Sequence, residues 1–171
     1  MLETERLILK PVTQQDIDIY TELLSCPKIT RYLPGGQPFS DEYIKNYVPK
    51  KVAHWRHGFG TFILFLKSDP RMKIGYAGVE YTTDSQVPDI RYGLLESYQG
   101  FGYAYEAAKA SVEYTLTNTD IKRIFGVAVE ENQASVKLLK KLGMQPSDTV
   151  VYDADGLVTF SITQKDLESE A

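Results

Sequence analysis

The stretch Gln99-Gly100-Phe101-Gly102-Tyr103-Ala104 decides how this chain is interpreted. Two glycines within three residues allow the backbone to turn several N–H groups toward one point. The small-residue segment that follows predicts a helix, whose start adds the positive end of its macrodipole at the same place. The stretch therefore predicts a binding site for phosphate oxygens.

Regular elements are predicted on both sides of this loop. An apolar strand over 90–95 precedes it, and a long helix over 101–117 follows, with alanines that permit close packing against a sheet. A further strand is predicted over 123–129. Asn132 then has the residue type of a helix N-cap, and Gly143 stands where a glycine ends such a helix.

The segments before the loop predict an antiparallel beginning to the sheet. Strands are expected over 6–11, 61–66 and 74–81, with Asp69-Pro70 as the turn between the last two. Counted along the chain, 90–95 is then the fourth predicted strand and 123–129 the fifth. The order predicts a mixed α/β fold in one domain over 1–171.

Two helices are predicted between the first and second strands. The first begins at a capping box of Thr13 and Asp16 and is expected to stop at Pro27. The second begins at Ser40, and Pro49 is expected to kink or split it.

The last part of the chain predicts a hairpin. Its strands are 149–152 and 158–162, and Asp153-Ala154-Asp155-Gly156 forms the turn. The tail 168–171 is expected to fray.

Composition excludes several classes of protein. The chain has 171 residues, 43% apolar and 25% charged, and a formal net charge of −4, which argues against nucleic acid as a partner. It has no signal-peptide pattern and no run long enough to span a membrane, so a cytoplasmic protein is expected. Cys26 is the only cysteine. No disulfide and no metal site are predicted.

Other motifs do not fit. The glycine loop lacks the third glycine of a dinucleotide-binding fingerprint, because Tyr105 stands there. A P-loop would need Gly-Lys-Ser/Thr. Val151 stands where the first ligand of a calcium loop would be, before Asp153.

Two motifs at this spacing resemble the GNAT acetyl-CoA-dependent N-acetyltransferases. The first is the glycine loop followed by Glu106-Ala107, and the second is Asn132-Gln133-Ala134-Ser135 running into Leu142-Gly143-Met144. The opening Glu3-Thr4-Glu5-Arg6-Leu7 is most similar to the branch that acetylates ribosomal-protein N-termini. The resemblance implies a mostly antiparallel central sheet, splayed between the fourth and fifth predicted strands and flanked by helices.

The resemblance also implies acetyl-CoA as co-substrate and assigns residues to it. Loop N–H groups would hold its pyrophosphate, and Leu94 and Leu95 would pair with the pantetheine arm. A backbone N–H there or at Gly93 would stabilise the oxyanion. Asn132 would bond the arm or act only as an N-cap. The expected coenzyme-binding residues are Leu94, Leu95, Gln99, Gly100, Phe101, Gly102, Tyr103, Ala104 and Asn132.

Acetyl transfer also needs a proton acceptor and a way to stabilise the leaving sulfur. Asp89, at the start of the fourth predicted strand, is the first candidate base; the alternative is a solvated strand-end aspartate. Glu80 is the second candidate. Many family members carry a tyrosine acid at the position of Leu139, so that acid is excluded here. Ser135 is the candidate donor to the thiol, or else a core-facing serine.

The acceptor stays open at this point. His54, Trp55 and His57 border the acceptor cleft of the family, and Tyr32 and Tyr92 are candidate cleft walls. A protein N-terminus and a small amine (polyamine, amino acid or antibiotic) both fit, as does a non-catalytic module that binds acyl-CoA. The protein is expected to be a monomer or a homodimer.

Overall fold

A computed structural model of the chain describes residues 1–33, 36–83 and 86–170. Within these residues, eight strands form one sheet in the order β1-β2-β3-β4-β5-β6-β8-β7. The strands are β1 (Leu2–Glu3), β2 (Leu7–Pro11), β3 (Thr61–Leu66), β4 (Asp69–Tyr81), β5 (Pro88–Leu94), β6 (Arg123–Val129), β7 (Gln145–Pro146) and β8 (Leu157–Thr163). The helices are α1 (Ile17–Leu24), α2 (Pro27–Thr30), α3 (Asp41–His54), α4 (Tyr103–Asn118), α5 (Gln133–Lys141) and α6 (Gln164–Glu170).

The sheet splits between β5 and β6, which are the fourth and fifth predicted strands. They run parallel and share one paired position, Asp89 with Phe125, whereas β6 and β8 are paired antiparallel from Arg123 to Val129. Beyond Asp89 the two strands diverge. The predicted mixed α/β fold, mostly antiparallel and splayed at this place, is confirmed.

The two faces of the sheet carry different helices. Side chains alternate along β5, so Ile90 and Leu94 face α4 and α5, where they join buried alanines and leucines. Asp89 and Arg91 face the opposite side, which α1 and α3 cover. The split in the sheet therefore has one layer of helices, α4 and α5, on one face and another layer, α1 and α3, on the other.

Helix starts follow the sequence signals. Thr13 and Asp16 form the predicted capping box. Ser40 accepts a hydrogen bond from the Tyr43 N–H, and Asn132 accepts one from the Ser135 N–H. Pro49 lies inside α3 without ending it, because the buried side chains of Ile44 and Val48 anchor the helix before it and Lys51 after it.

Of two predicted boundaries before the glycine loop, one is confirmed and one is wrong. α1 ends at Leu24, just before the predicted stop at Pro27, which then opens α2 at its first position, where its missing N–H needs no partner. The turn between β3 and β4 is Lys67-Ser68, because Leu66 pairs with Asp69. The loop expected at 34–38 includes Pro34 and Gly35, which lie outside the described residues.

The C-terminal prediction is corrected as well. β8 pairs with β7 through Phe160 and Ser161, and 149–152 form no strand because Tyr152 turns toward the sheet. The tail forms α6 up to Glu170. Asp166 caps it by accepting from the Thr163 N–H at 2.9 Å, and Leu167 packs against the core. Ala171 lies outside the described residues.

Candidate active site

The glycine loop presents unpaired backbone donors. Gly100 and Gly102 both have φ of +86°, a conformation that favours glycine. The first hydrogen bond of α4 runs from the Glu106 N–H to the Gly102 carbonyl at 3.1 Å. Within the described chain, the N–H groups from Gly100 to Tyr105 donate to no protein acceptor. Such a cradle at a helix start fits the pyrophosphate of coenzyme A.

The N-terminal segment braces this loop. Arg6 donates to the Phe101 carbonyl at 2.8 Å and to the Glu106 carboxylate at 2.8 Å, and its guanidinium stacks on Tyr103. Thr4 and the Arg6 N–H also donate to Glu106. Burial opposes ionisation of Glu106, but these bonds lower the pKa of its carboxyl. In the sequence these residues belong to a family signature, but no local signal there predicts their contact with the loop.

Along the split edge of β5, the available donors differ from the expected ones. The Leu95 N–H donates to the Ile74 carbonyl at 2.9 Å, and antiparallel alternation turns the Gly93 N–H toward β4 as well. The same alternation turns the N–H groups of Tyr92 and Leu94 into the split. Gln99 donates to the Leu94 carbonyl at 3.1 Å and so braces this edge.

On the other side of the split, α5 begins at Asn132. Its side-chain oxygen accepts from the Ser135 N–H at 3.3 Å, so the N-cap role is present. Its amide NH₂ group makes no hydrogen bond within the described chain and is available to a ligand.

Ser135 lies in the first turn of α5 and is hydrogen-bonded across the split to the Tyr92 hydroxyl. Burial raises the pKa of Tyr92, so its hydroxyl stays protonated near neutral pH. Leu139, the position at which the family resemblance implies a tyrosine acid, is 1% exposed and belongs to the core.

Asp89 stands where the sheet splits and is 3% exposed. Its Oδ2 accepts from the Tyr152 hydroxyl at 2.6 Å and from Arg91 Nε at 3.4 Å. Its Oδ1 is buried and has no hydrogen-bond partner in the described chain. Burial raises the pKa of Asp89, although Arg91 and Tyr152 oppose the rise. A carboxylate with one unpartnered oxygen and a raised pKa suits a proton acceptor.

Glu80 faces Asp89 across β4 and β5, but its environment is different. Lys51, itself buried, donates to Glu80 at 2.5 Å, and its ammonium lies over the Tyr47 ring. Burial opposes ionisation of Glu80, but the charge of Lys51 lowers its pKa. Glu80 therefore acts as a buried ion-pair partner, which is poorly suited to take a proton.

Tyr152 is a site residue that sequence analysis missed. Its hydroxyl donates to Asp89 and accepts from Arg91 Nη2 at 2.7 Å. It also lines a cavity of about 530 Å³ between 146–154 and β8. No local pattern marks it, because the contact joins residues 63 positions apart.

The two histidines and Trp55 make hydrogen bonds and ring contacts with neighbouring residues. His54 Nε2 accepts from the Tyr81 N–H at 3.0 Å, which leaves Nδ1 to donate to the Phe59 carbonyl at 3.0 Å. Trp55 donates to the Thr61 carbonyl, and His57 lies edge-on to Tyr81.

Two expected site residues lie at the protein surface. Tyr32 stacks under the Arg31 guanidinium. The Phe101 side chain is 60% exposed, and it is the carbonyl of this residue that Arg6 binds.

No metal site or membrane helix is found in the described part of the chain. Its His, Cys, Asp and Glu residues form no group of three that could hold a metal ion. None of the helices described over 1–33, 36–83 and 86–170 is long and apolar enough to cross a membrane.

Several solved structures that share this fold are named as acetyltransferases. An acetyltransferase from Agrobacterium tumefaciens superposes with a TM-score of 0.85 at 21% identity, over 95% of this chain and 94% of that one. Spermidine N-acetyltransferase from Vibrio cholerae, in complex with CoA and spermine, superposes with 0.77 at 17% identity, over 95% and 98%.

The names of two further structures mention other molecules, a ribosomal protein and ribostamycin. Ribosomal-protein-S5-alanine acetyltransferase from Vibrio fischeri superposes with 0.76 at 18% identity, over 96% and 97% of the two chains. AAC(6')-Ib in complex with ribostamycin and coenzyme A superposes with 0.77 at 21% identity, over 96% and 97%. At these identities the likeness shows the fold alone.

Sequence comparison identifies the family. An uncharacterized N-acetyltransferase of Bacillus subtilis, YnaD, is 27% identical over 144 residues, which cover 84% of this chain and 82% of the relative. The model of the acetyltransferase (GNAT) domain matches residues 6–145. The chain therefore belongs to the GNAT acetyltransferase family, whose co-substrate is acetyl-CoA.

Proposed function

We propose that residues 1–171 form one domain that transfers an acetyl group from acetyl-CoA to a primary amine by direct attack in a ternary complex. The observation that carries the proposal is Asp89, a buried carboxylate with one unpartnered oxygen where the sheet splits. An amine must lose a proton to become acetamide, and a buried base at this position accepts it.

The backbone of the split would hold the co-substrate. The free N–H groups from Gly100 to Tyr105 would bind its pyrophosphate, and the Asn132 amide and the edge of β5 at Tyr92 and Leu94 would bind its pantetheine arm. The bound thioester supplies an activated acetyl group. The Tyr92 and Leu94 N–H groups lie along the edge where negative charge on the carbonyl oxygen would be stabilised.

Asp89 would receive the amine proton on Oδ1. Tyr152 and Arg91 hold Oδ2, which fixes the orientation of the carboxylate. Because burial raises the pKa of Asp89, its basicity is closer to that needed near neutral pH than that of an exposed aspartate.

The amine acceptor would approach from the face that carries Asp89 and Tyr152. A protein N-terminus and a small amine both fit this arrangement. The names of structures that share the fold mention spermidine, a ribosomal protein and the aminoglycoside ribostamycin.

The proposal is tested by thiol release from acetyl-CoA with a panel of amines. The panel contains peptides with free Ala, Ser or Met N-termini, polyamines, amino acids and aminoglycosides. Stimulation by one class, with initial-rate lines that intersect, supports direct transfer in a ternary complex. A flat panel, with acetyl-CoA still raising the melting temperature, would contradict the proposal and favour a module that only binds acyl-CoA.

A further inference from the structure

The hydroxyl groups of Tyr92 and Ser135 are hydrogen-bonded across the split in the sheet. Tyr92 belongs to β5, whose edge lies free beyond Asp89, and Ser135 belongs to the first turn of α5 on the opposite wall. Both side chains lie on the face of the sheet that carries the glycine loop and α4. The pair therefore stands where the proposed path of the pantetheine arm ends.

The ring of Tyr92 is packed among apolar side chains. Tyr92 packs against the clusters that contain Ile90, Val136 and Leu94. Leu139, one turn further along α5, packs so closely on β6 that an added Cβ at Gly126 would lie 2.6 Å from it. Leu139 has no hydrogen-bond donor, so Ser135 is the one of these two α5 side chains that can donate to a leaving sulfur.

The start of α5 also favours negative charge. Ser135 is in the first turn of a nine-residue helix, where the macrodipole and the backbone N–H groups stabilise an anion. A sulfur that leaves with the electron pair of the broken C–S bond would be stabilised there.

We infer that Tyr92 is a positioning residue for this step. It donates its proton to a hydrogen bond with the Ser135 oxygen, which turns the Ser135 hydroxyl proton toward the leaving sulfur. As the amine nitrogen forms its bond to the acetyl carbon, the C–S bond breaks and its electron pair stays on sulfur. No proton leaves Tyr92 or Ser135; the sulfur is protonated by solvent on release.

The hydrogen bond to the leaving sulfur is thus assigned to a serine at the start of α5, which a tyrosine on the facing strand orients. This inference rests on the proposed function, because it needs acetyl-CoA in the split. It adds a residue that the family motif does not assign.

The test compares Tyr92→Phe, Ser135→Ala and the double variant in the 171-residue chain. Tyr92→Phe keeps the ring and removes one hydroxyl, so we expect kcat to fall about tenfold while the Kd for acetyl-CoA changes less than about twofold. Ser135→Ala should lower kcat at least as much. The double variant should be no slower than Ser135→Ala, because Tyr92 acts through Ser135.

Two further variants separate this role from packing. Ser135→Thr keeps a hydroxyl and should recover most of the rate. Tyr114→Phe is the matched control, since Tyr114 is a half-buried tyrosine whose hydroxyl bonds the Gly58 carbonyl away from the split. It should leave kcat unchanged.

Full kcat in Tyr92→Phe, or losses that multiply in the double variant, would overturn the inference. A drop in melting temperature and in coenzyme affinity that accounts for the lost rate would overturn it too. The same variants are also assayed for slow hydrolysis of acetyl-CoA, which releases the same sulfur without an amine. If no amine is acetylated but Tyr92→Phe slows hydrolysis, the proposed function is wrong and this inference still holds. If Tyr92→Phe leaves the rate of hydrolysis unchanged, the inference is wrong.

Discussion

The glycine loop and the Asp89 cluster (Asp89, Arg91 and Tyr152) lie on opposite faces of the sheet where it splits, and they are built in different ways. The loop uses backbone N–H groups from consecutive residues and two glycines at positive φ. The Asp89 cluster uses side chains from β5 and from the loop before β8, which are joined by hydrogen bonds over long sequence separations.

This contrast shows which kinds of site can be predicted from a sequence. A backbone site follows from local conformation, so a short motif is enough to predict it. A side-chain cluster depends on how distant segments pack, and its polar partners leave no periodic signal. Substitutions in the two regions should therefore have different effects. Those in the loop should weaken coenzyme binding, and those in the cluster should lower kcat.

The largest effect is expected for Asp89→Asn, which removes the proposed base and keeps the side-chain shape. We expect kcat with the best amine to fall about a thousandfold, within the range known for general bases. Steady-state kinetics with saturating acetyl-CoA measures it. Asp120→Asn, at an exposed position after α4, is the control, and equal rates for both variants would exclude Asp89 as the base.

The next largest effect is expected for Gly102→Val. A β-branched residue is strained at φ of +86°, and its Cβ would lie 3.3 Å from Arg6 Nη2. Acetyl-CoA should bind about a hundredfold more weakly, as measured by calorimetry. Gly156→Val is strained in the same way, at φ of +75° with open space around its Cβ, and should keep its affinity. Unchanged affinity in Gly102→Val would place the phosphates elsewhere.

A smaller effect is expected when the brace of the loop is removed. Arg6→Gln loses the hydrogen bond to the Phe101 carbonyl and the ion pair with Glu106. We expect the KM for acetyl-CoA to rise about tenfold with kcat retained, because about 1.4 kcal/mol of loop ordering is lost. Lys28→Gln removes an exposed ion pair with Glu96 and should change nothing. If the KM for acetyl-CoA were the same in both variants, the contacts of Arg6 would not contribute to coenzyme binding.

The smallest effect in rate, but the sharpest in pH, is expected for Tyr152→Phe. The Tyr152 hydroxyl bonds the carboxylate form of Asp89 and lowers its pKa, so its removal raises that pKa further. Activity needs the carboxylate and falls as pH drops through this pKa. The acid limb of kcat/KM should therefore move to higher pH, with less than a tenfold loss on the plateau. If the acid limb did not move, Tyr152 would not influence the pKa of the group that accepts the proton.

The fold was predictable from local signals, because Thr13, Ser40 and Asn132 cap helices where their types suggest. The conformation of the glycine loop was predictable for the same reason, since Gly100 and Gly102 both adopt positive φ. The edge donors were misassigned at Leu95, since pairing parity with β4 decides which N–H groups face the split. Tyr152 was assigned to a hairpin that β7 forms instead; its contact with Asp89 is tertiary and has no sequence signature.

The separation of the two regions is tested most directly by measuring both the Kd for coenzyme A and kcat at saturating acetyl-CoA in Gly102→Val and Asp89→Asn. We predict opposite patterns. Gly102→Val loses affinity and keeps kcat, whereas Asp89→Asn keeps affinity and loses kcat. If either variant lost both to the same degree while its melting temperature held, binding and chemistry would not be divided between the loop and the Asp89 cluster.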